Sequence, residues 1–107
     1  GYRDGVVVIN EDFTVSSAQP ARFEVPFGPG AREVILEIRQ DSGVLPNLHV
    51  ALSGCGELDP PASAGWQSYP LCDAASDEQA ELTITVNAGA PAGSGSILVR
   101  ADLPDAA

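Results

Sequence analysis

The chain has no lysine. Its basic side chains are five arginines, set against fifteen acids, for a formal charge of −10. Between Arg39 and Arg100 neither Arg nor Lys occurs, while Asp41, Glu57, Asp59, Asp73, Asp77, Glu78 and Glu81 do. A surface of that sign repels phosphate backbones and anionic lipid, which argues against nucleic acid and against membrane insertion. It would attract divalent cations or basic proteins. The plainer account is that surplus acid keeps the protein dissolved, above all in a salty medium. No apolar run approaches the roughly 18–20 residues of a membrane-spanning helix. Residues 1–20 also lack the basic-then-apolar order of a signal peptide, so if the protein is secreted that segment is expected to have been removed.

Catalytic vocabulary is equally sparse. The one histidine, His49, falls on an alternating pattern that turns it outward, with no nucleophile marked beside it. The serines of segment 93–96 carry no nucleophile-elbow pattern. "GPG" and "GSG" read as turns rather than as phosphate-cradling loops. With two cysteines, one histidine and no CxxC, zinc ligation by four N or S donors is not expected. No segment of ten or more residues has helical periodicity. These absences describe a non-enzyme, with no cofactor called for.

What is present is a strand alphabet. The 107 residues, 44% of them apolar, suit one domain able to bury roughly two-thirds of its unfolded surface. "DGVVVIN" (4–10) is a β-branched run too continuous to have one wet face. Further on, the alternation is regular. Phe13 and Val15 share one side of "DFTV", and Phe23 and Val25 share one side of "ARFEV", with Arg22 and Glu24 outward. Val34, Leu36 and Ile38 oppose Glu33, Ile35 and Glu37, and Leu48, Val50 and Leu52 oppose His49 and Ala51. Leu82, Ile84 and Val86 oppose Glu81, Thr83 and Thr85, and Ile97, Val99 and Ala101 oppose Leu98, Arg100 and Asp102. "PFGPG" (26–30) supplies turn residues, "QDSG" (40–43) suits a type I turn, and "NAGAPAGSG" (87–95) reads as a flexible connection. The expectation is an all-β, two-sheet antiparallel β-sandwich, jelly-roll or immunoglobulin-like, with about six to eight strands. It forms a single domain over 1–107, with 1–4 and 103–107 as flexible ends.

The stretch "GCGELDPPASAGWQSYPLCD" (54–73) looks least like a sheet and holds both cysteines and the only tryptophan. Cys55 and Cys72 are expected to form one disulfide, which places the protein in an oxidising compartment: periplasm, cell surface or medium. In the chain-entropy model, closing a loop of this size contributes about 3 kcal/mol.

Three features together resemble the bacterial pre-peptidase C-terminal domain, a small β-sandwich appended to secreted hydrolases. "AREVILEIRQDSG" followed by "PNLHVALSGCG" is similar to that family's strand, turn and "DLYV"-type strand. A cysteine just after that strand and another before the next match a disulfide often seen there. "GSGSILVRAD" resembles the closing strand. The resemblance spans roughly residues 22–102 and implies an accessory domain of a secreted hydrolase. Asn47 stands where the family usually carries an aspartate that in some members helps to bind calcium, and His49 stands where it carries tyrosine. The Asn47 substitution puts the family's calcium site in doubt.

Several side chains are candidates for a function. Asp73, Asp77 and Glu78, with Glu57 or Asp59, could gather around calcium, although solvated acids are the simpler account. Trp66 and Tyr69 could stack on sugar rings or on a partner's surface, but the expectation is that Trp66 folds back and caps an open end of the core. Val6, Val7, Val8 and Ile9 could fill a groove in a second copy, as strand-exchanging pilus subunits do, unless they form an ordinary edge strand. The expected function is thus a non-catalytic extracellular module with a structural or binding role, its partner a protein or a glycan. The alternatives are a filament subunit donating residues 5–15 and a carbohydrate-binding module using Trp66 and Tyr69.

Overall fold

The structure is a computed structural model that describes residues 1–41 and 45–106. Eight strands account for most of it: β1 (Tyr2–Val15), β2 (Ala21–Pro26), β3 (Arg32–Gln40), β4 (Leu48–Leu52), β5 (Gly56–Leu58), β6 (Gln67–Ala74), β7 (Gln79–Val86) and β8 (Gly93–Pro104). They form two antiparallel four-stranded sheets, β1-β8-β3-β6 (sheet I) and β2-β7-β4-β5 (sheet II). Among the described strands only β4 and β5 are consecutive within one sheet, and every other chain step crosses from sheet to sheet. That order is the eight-stranded jelly roll, which decides between the two sandwich types expected. The expected turn at 40–43 falls partly outside the described residues.

The alternation seen in the sequence becomes the core. Val34, Leu36, Ile38, Ile97, Val99 and Ala101 from sheet I meet Val25, Leu48, Val50, Leu52, Leu82 and Ile84 from sheet II, all of them buried. Each such Val, Leu or Ile contributes about 1.5–3 kcal/mol by leaving water. Phe13 and Val15 are buried beside them, while Phe23 and Val86 are only partly covered.

Four expectations are corrected. The stretch 54–73 is not one long loop but contains β5 and most of β6. Strand β6 pairs only with β3, and an edge strand can accommodate Pro70, which lacks the N–H a central strand would need. Residues 93–95 are not a free connection but the start of β8, with Gly95 opposite both Phe13 and Gln40. Glycine is required at 95 because a Cβ there would run into the Arg39 carbonyl oxygen. The run "VVVIN" does have a wet face: Val7 is 52% exposed, and a β-bulge between Val7 and Ile9 turns both Val8 and Ile9 towards the core. Lastly, the stretches expected as loose ends pair with each other, Tyr2 opposite Pro104 and Arg3 opposite Leu103, with Arg32 stacked 3.5 Å over the Tyr2 ring.

Cys55 precedes β5 at the edge of sheet II, and Cys72 lies on β6 at the edge of sheet I. Their disulfide, with Cα atoms 5.3 Å apart, therefore staples the two sheets along one open side. Serine hydrogen bonds reinforce the same corner. Ser76 N–H and Oγ–H both donate to the Gly54 carbonyl, and Glu81 N–H donates to Ser53 Oγ at 2.8 Å.

Candidate ligand-binding face

The outer face of sheet I carries an organised polar row. Register sets Arg39 on β3 opposite Ser96 on β8, and Ser96 opposite Asp12 on β1. Arg39 Nη2 donates to Ser96 Oγ at 2.8 Å, and Ser96 Oγ–H donates to Asp12 Oδ1 at 2.7 Å. Ser96 is nearly covered by these neighbours, although it points away from the core. The second guanidinium nitrogen, Nη1, reaches Asp41 Oδ1 at 3.3 Å, and Asp41 Oδ2 accepts from Ser94 Oγ–H at 2.7 Å. Arg39 is thus held from two sides, which fixes its plane.

Trp66 stands at the end of this row. Its neighbour Gln67 is opposite Ile38 in the β3–β6 register, and the Arg39 guanidinium lies 5.7 Å from the centre of the Trp66 ring. The ring is 51% exposed. The expectation that it caps the core is therefore incorrect. The reason is its place: it precedes an edge strand whose only partner in the sheet is β3, so half of its surface stays in water. Next along the sheet, Glu37 pairs with Arg100 at 3.7 Å. The face as a whole offers one aromatic plane, acceptors on Asp12 and Asp41, and a donor group already oriented.

The other candidates fall elsewhere. Tyr69 lies opposite the buried Leu36 and packs against the core, so it turns away from Trp66, and the two rings do not form one platform. Val6, Val7, Val8 and Ile9 lie in β1, along which pairing with β8 of the same chain is interrupted by two bulges. Asp73 is on β6 and Asp77 and Glu78 follow it, with the Asp77 carboxyl packed against Gly54. Glu57 and Asp59 do not join them. Among the described residues no group of three or more His, Cys, Asp and Glu side chains is arranged to hold a metal ion. Asn47 is exposed just before β4.

Glu57 and Asp59 instead flank His49 on the outer face of sheet II, across the β4–β5 hairpin. Asp59 Oδ1 is 2.7 Å from His49 Nδ1, and Glu57 Oε2 is 3.3 Å from Nε2. Both ring nitrogens can donate only when the imidazole is protonated. The hydrogen bond to Asp59, opposed by slight desolvation and aided by the Asp59 charge and then by Glu57, raises the His49 pKa above its ordinary 6.5. Sequence reasoning missed this cluster. The signal was the two-residue spacing of Glu57 and Asp59, legible only once β5 is known to pair with β4.

The fold and its faces define a disulfide-stapled jelly-roll domain. No family model matches the chain, and no curated protein or solved structure does.

Proposed function

We propose that this chain is a non-catalytic binding module of a secreted or cell-surface protein, and that its ligand is a neutral glycan laid against Trp66 on the outer face of sheet I. The observation that carries the reading is the 51% exposure of Trp66 in a domain where aromatics make up only 6% of the residues. Covering such a ring would stabilise the fold by a few kcal/mol, so leaving it in water is costly unless something else covers it. A pyranose offers the match, with axial C–H groups for the ring and hydroxyls for the fixed polar groups beside it. Charge selects among glycans. The nearest cation, Arg39, is already engaged by Asp41 and the chain carries −10, so sulfated or uronic chains are disfavoured. The Cys55–Cys72 bond is compatible with an oxidising compartment, and among the described residues no helix is long and apolar enough to cross a membrane. Attachment to a larger secreted protein, as the pre-peptidase C-terminal resemblance implies, would give such a module its use.

The test is a titration with cello-, xylo-, manno- and chito-trisaccharides, following Trp66 emission and heat of binding. At least one sugar should give a saturable response that Trp66→Ala abolishes and Trp66→Phe partly retains. If none of the four gives a saturable response by either readout, the reading is wrong.

A further inference from the structure

Beside the polar row lies an open cavity of about 410 Å³, at the end of the sandwich where β1 and β3 finish and β8 begins. Its lining includes Thr14, Gln19, Asp41 and Ser94 together with the apolar Leu45 and Pro46. Asp41 and Ser94 are also the pair that fixes Arg39 next to Trp66, so cavity and aromatic plane share one wall. We infer that this cavity is a second sugar subsite, and that the module binds a glycan chain of at least two units, one stacked on Trp66 and the next seated among Thr14, Asp41 and Ser94. This rests on the glycan reading above.

Three observations support it independently of Trp66. The volume falls within the roughly 300–1,000 Å³ of small-molecule sites. The lining mixes hydroxyl-, amide- and carboxylate-bearing residues with short apolar ones, and among the described residues no cationic side chain lines it. Such a lining suits a neutral polyhydroxylated unit and offers nothing to a phosphate or sulfate. The geometry is also braced: Asp41 N–H donates to the Ser94 carbonyl at 2.8 Å while the two side chains bond each other, and Gly93 lies so close to Pro46 that a Cβ there would stand 2.7 Å from its ring. A site built this way holds its shape before the ligand arrives, which lowers the entropy lost on binding.

The experiment compares each monosaccharide with its trisaccharide in the folded chain carrying Ala92→Leu or Thr14→Ala. Ala92 is exposed at the cavity rim, so the larger side chain fills the cavity without entering the core. In the parent chain the trisaccharide should bind about tenfold or more tightly than the monosaccharide, a difference one well-made subsite supplies. Ala92→Leu should remove most of that gain and leave the monosaccharide response of Trp66 unchanged. Thr14→Ala, which removes a lining group outside the Asp41–Ser94–Arg39 bonds, should act in the same direction more weakly, and serves alone if Ala92→Leu lowers the melting temperature. Equal affinity for mono- and trisaccharide, or full trisaccharide affinity in both variants, would overturn the second subsite while leaving the Trp66 reading intact. No response to any sugar would remove both.

Discussion

Cys55 and Cys72 join opposite sheets, and Gly56 beside the bond lies against the Leu71 backbone. A Cβ on Gly56 would sit 2.7 Å from the Leu71 carbonyl oxygen. At this corner the sheets approach backbone to backbone, with the disulfide in place of the side-chain layer that separates them elsewhere. Removing the bond should therefore cost more than loop closure alone suggests, because β5 is only three residues long and has one neighbour. The double variant Cys55→Ser/Cys72→Ser is expected to lose about 4–5 kcal/mol in guanidinium unfolding, at the upper end of the usual span of about 2–5. A loss below about 1 kcal/mol would mean the corner is held without the bond.

The same approach makes a prediction for glycine. Gly56→Ala should destabilise by about 1–3 kcal/mol, the usual cost of forcing extra volume into a packed site, since a backbone oxygen cannot swing aside as a side chain does. Gly65→Ala is the control. Its Cβ would meet only the Ser63 hydroxyl at 3.9 Å, and its φ is not left-handed. It should be neutral or stabilising by up to about 1 kcal/mol, through the unfolded chain. Melting temperatures of the two variants decide, and similar shifts in both would refute the close-approach account.

These features differ in how far the sequence announces them. The inward series Val34, Leu36, Ile38 and Leu82, Ile84, Val86 is legible because central strands buried on one face must alternate. Edge strands carry a weaker signature. One open side lets β6 contain Pro70, and β5 is too short to show a period. Gly93 and Gly95 resemble a turn in sequence, yet close contacts with Pro46 and Arg39 require them inside a strand. The Arg39–Trp66 stack and the His49–Asp59 pair depend on register between strands, which local pattern does not encode.

His49 should titrate above its ordinary 6.5 because Asp59 and Glu57 favour the charged ring. A group whose folded pKa is raised contributes stability that is complete below its unfolded pKa and is lost as pH rises through the folded value. His49→Gln should therefore lower stability slightly near pH 5.5 and not at all near pH 8.5. The His49 side chain is 41% exposed, so solvent screening keeps the difference below about 1 kcal/mol. An NMR titration of the ring checks the cause. Asp59→Asn should bring the midpoint back towards 6.5 by more than Glu57→Gln does, and an unchanged midpoint in Asp59→Asn would refute the assignment.

Trp66 and Tyr69 lie close in sequence and should separate binding from folding. Trp66 has half its surface in water, is absent from the core and lies near the Arg39 guanidinium, so Trp66→Ala should cost only about 1 kcal/mol of stability, the scale of an exposed cation–π pair. On the glycan reading it should also abolish sugar binding. Tyr69 packs against the core behind Leu36, so Tyr69→Ala should cost about 2–4 kcal/mol through lost packing. Where Tyr69→Ala still folds, it should leave sugar affinity within about twofold, because the outer row of Asp12, Ser96 and Arg39 is assembled by β1, β8 and β3 without it. Unfolding curves and sugar titrations on the same two samples test both halves together. A Tyr69→Ala protein that is fully folded but unable to bind would place the ligand on the inner side of β6, and would move the site away from the Arg39 face.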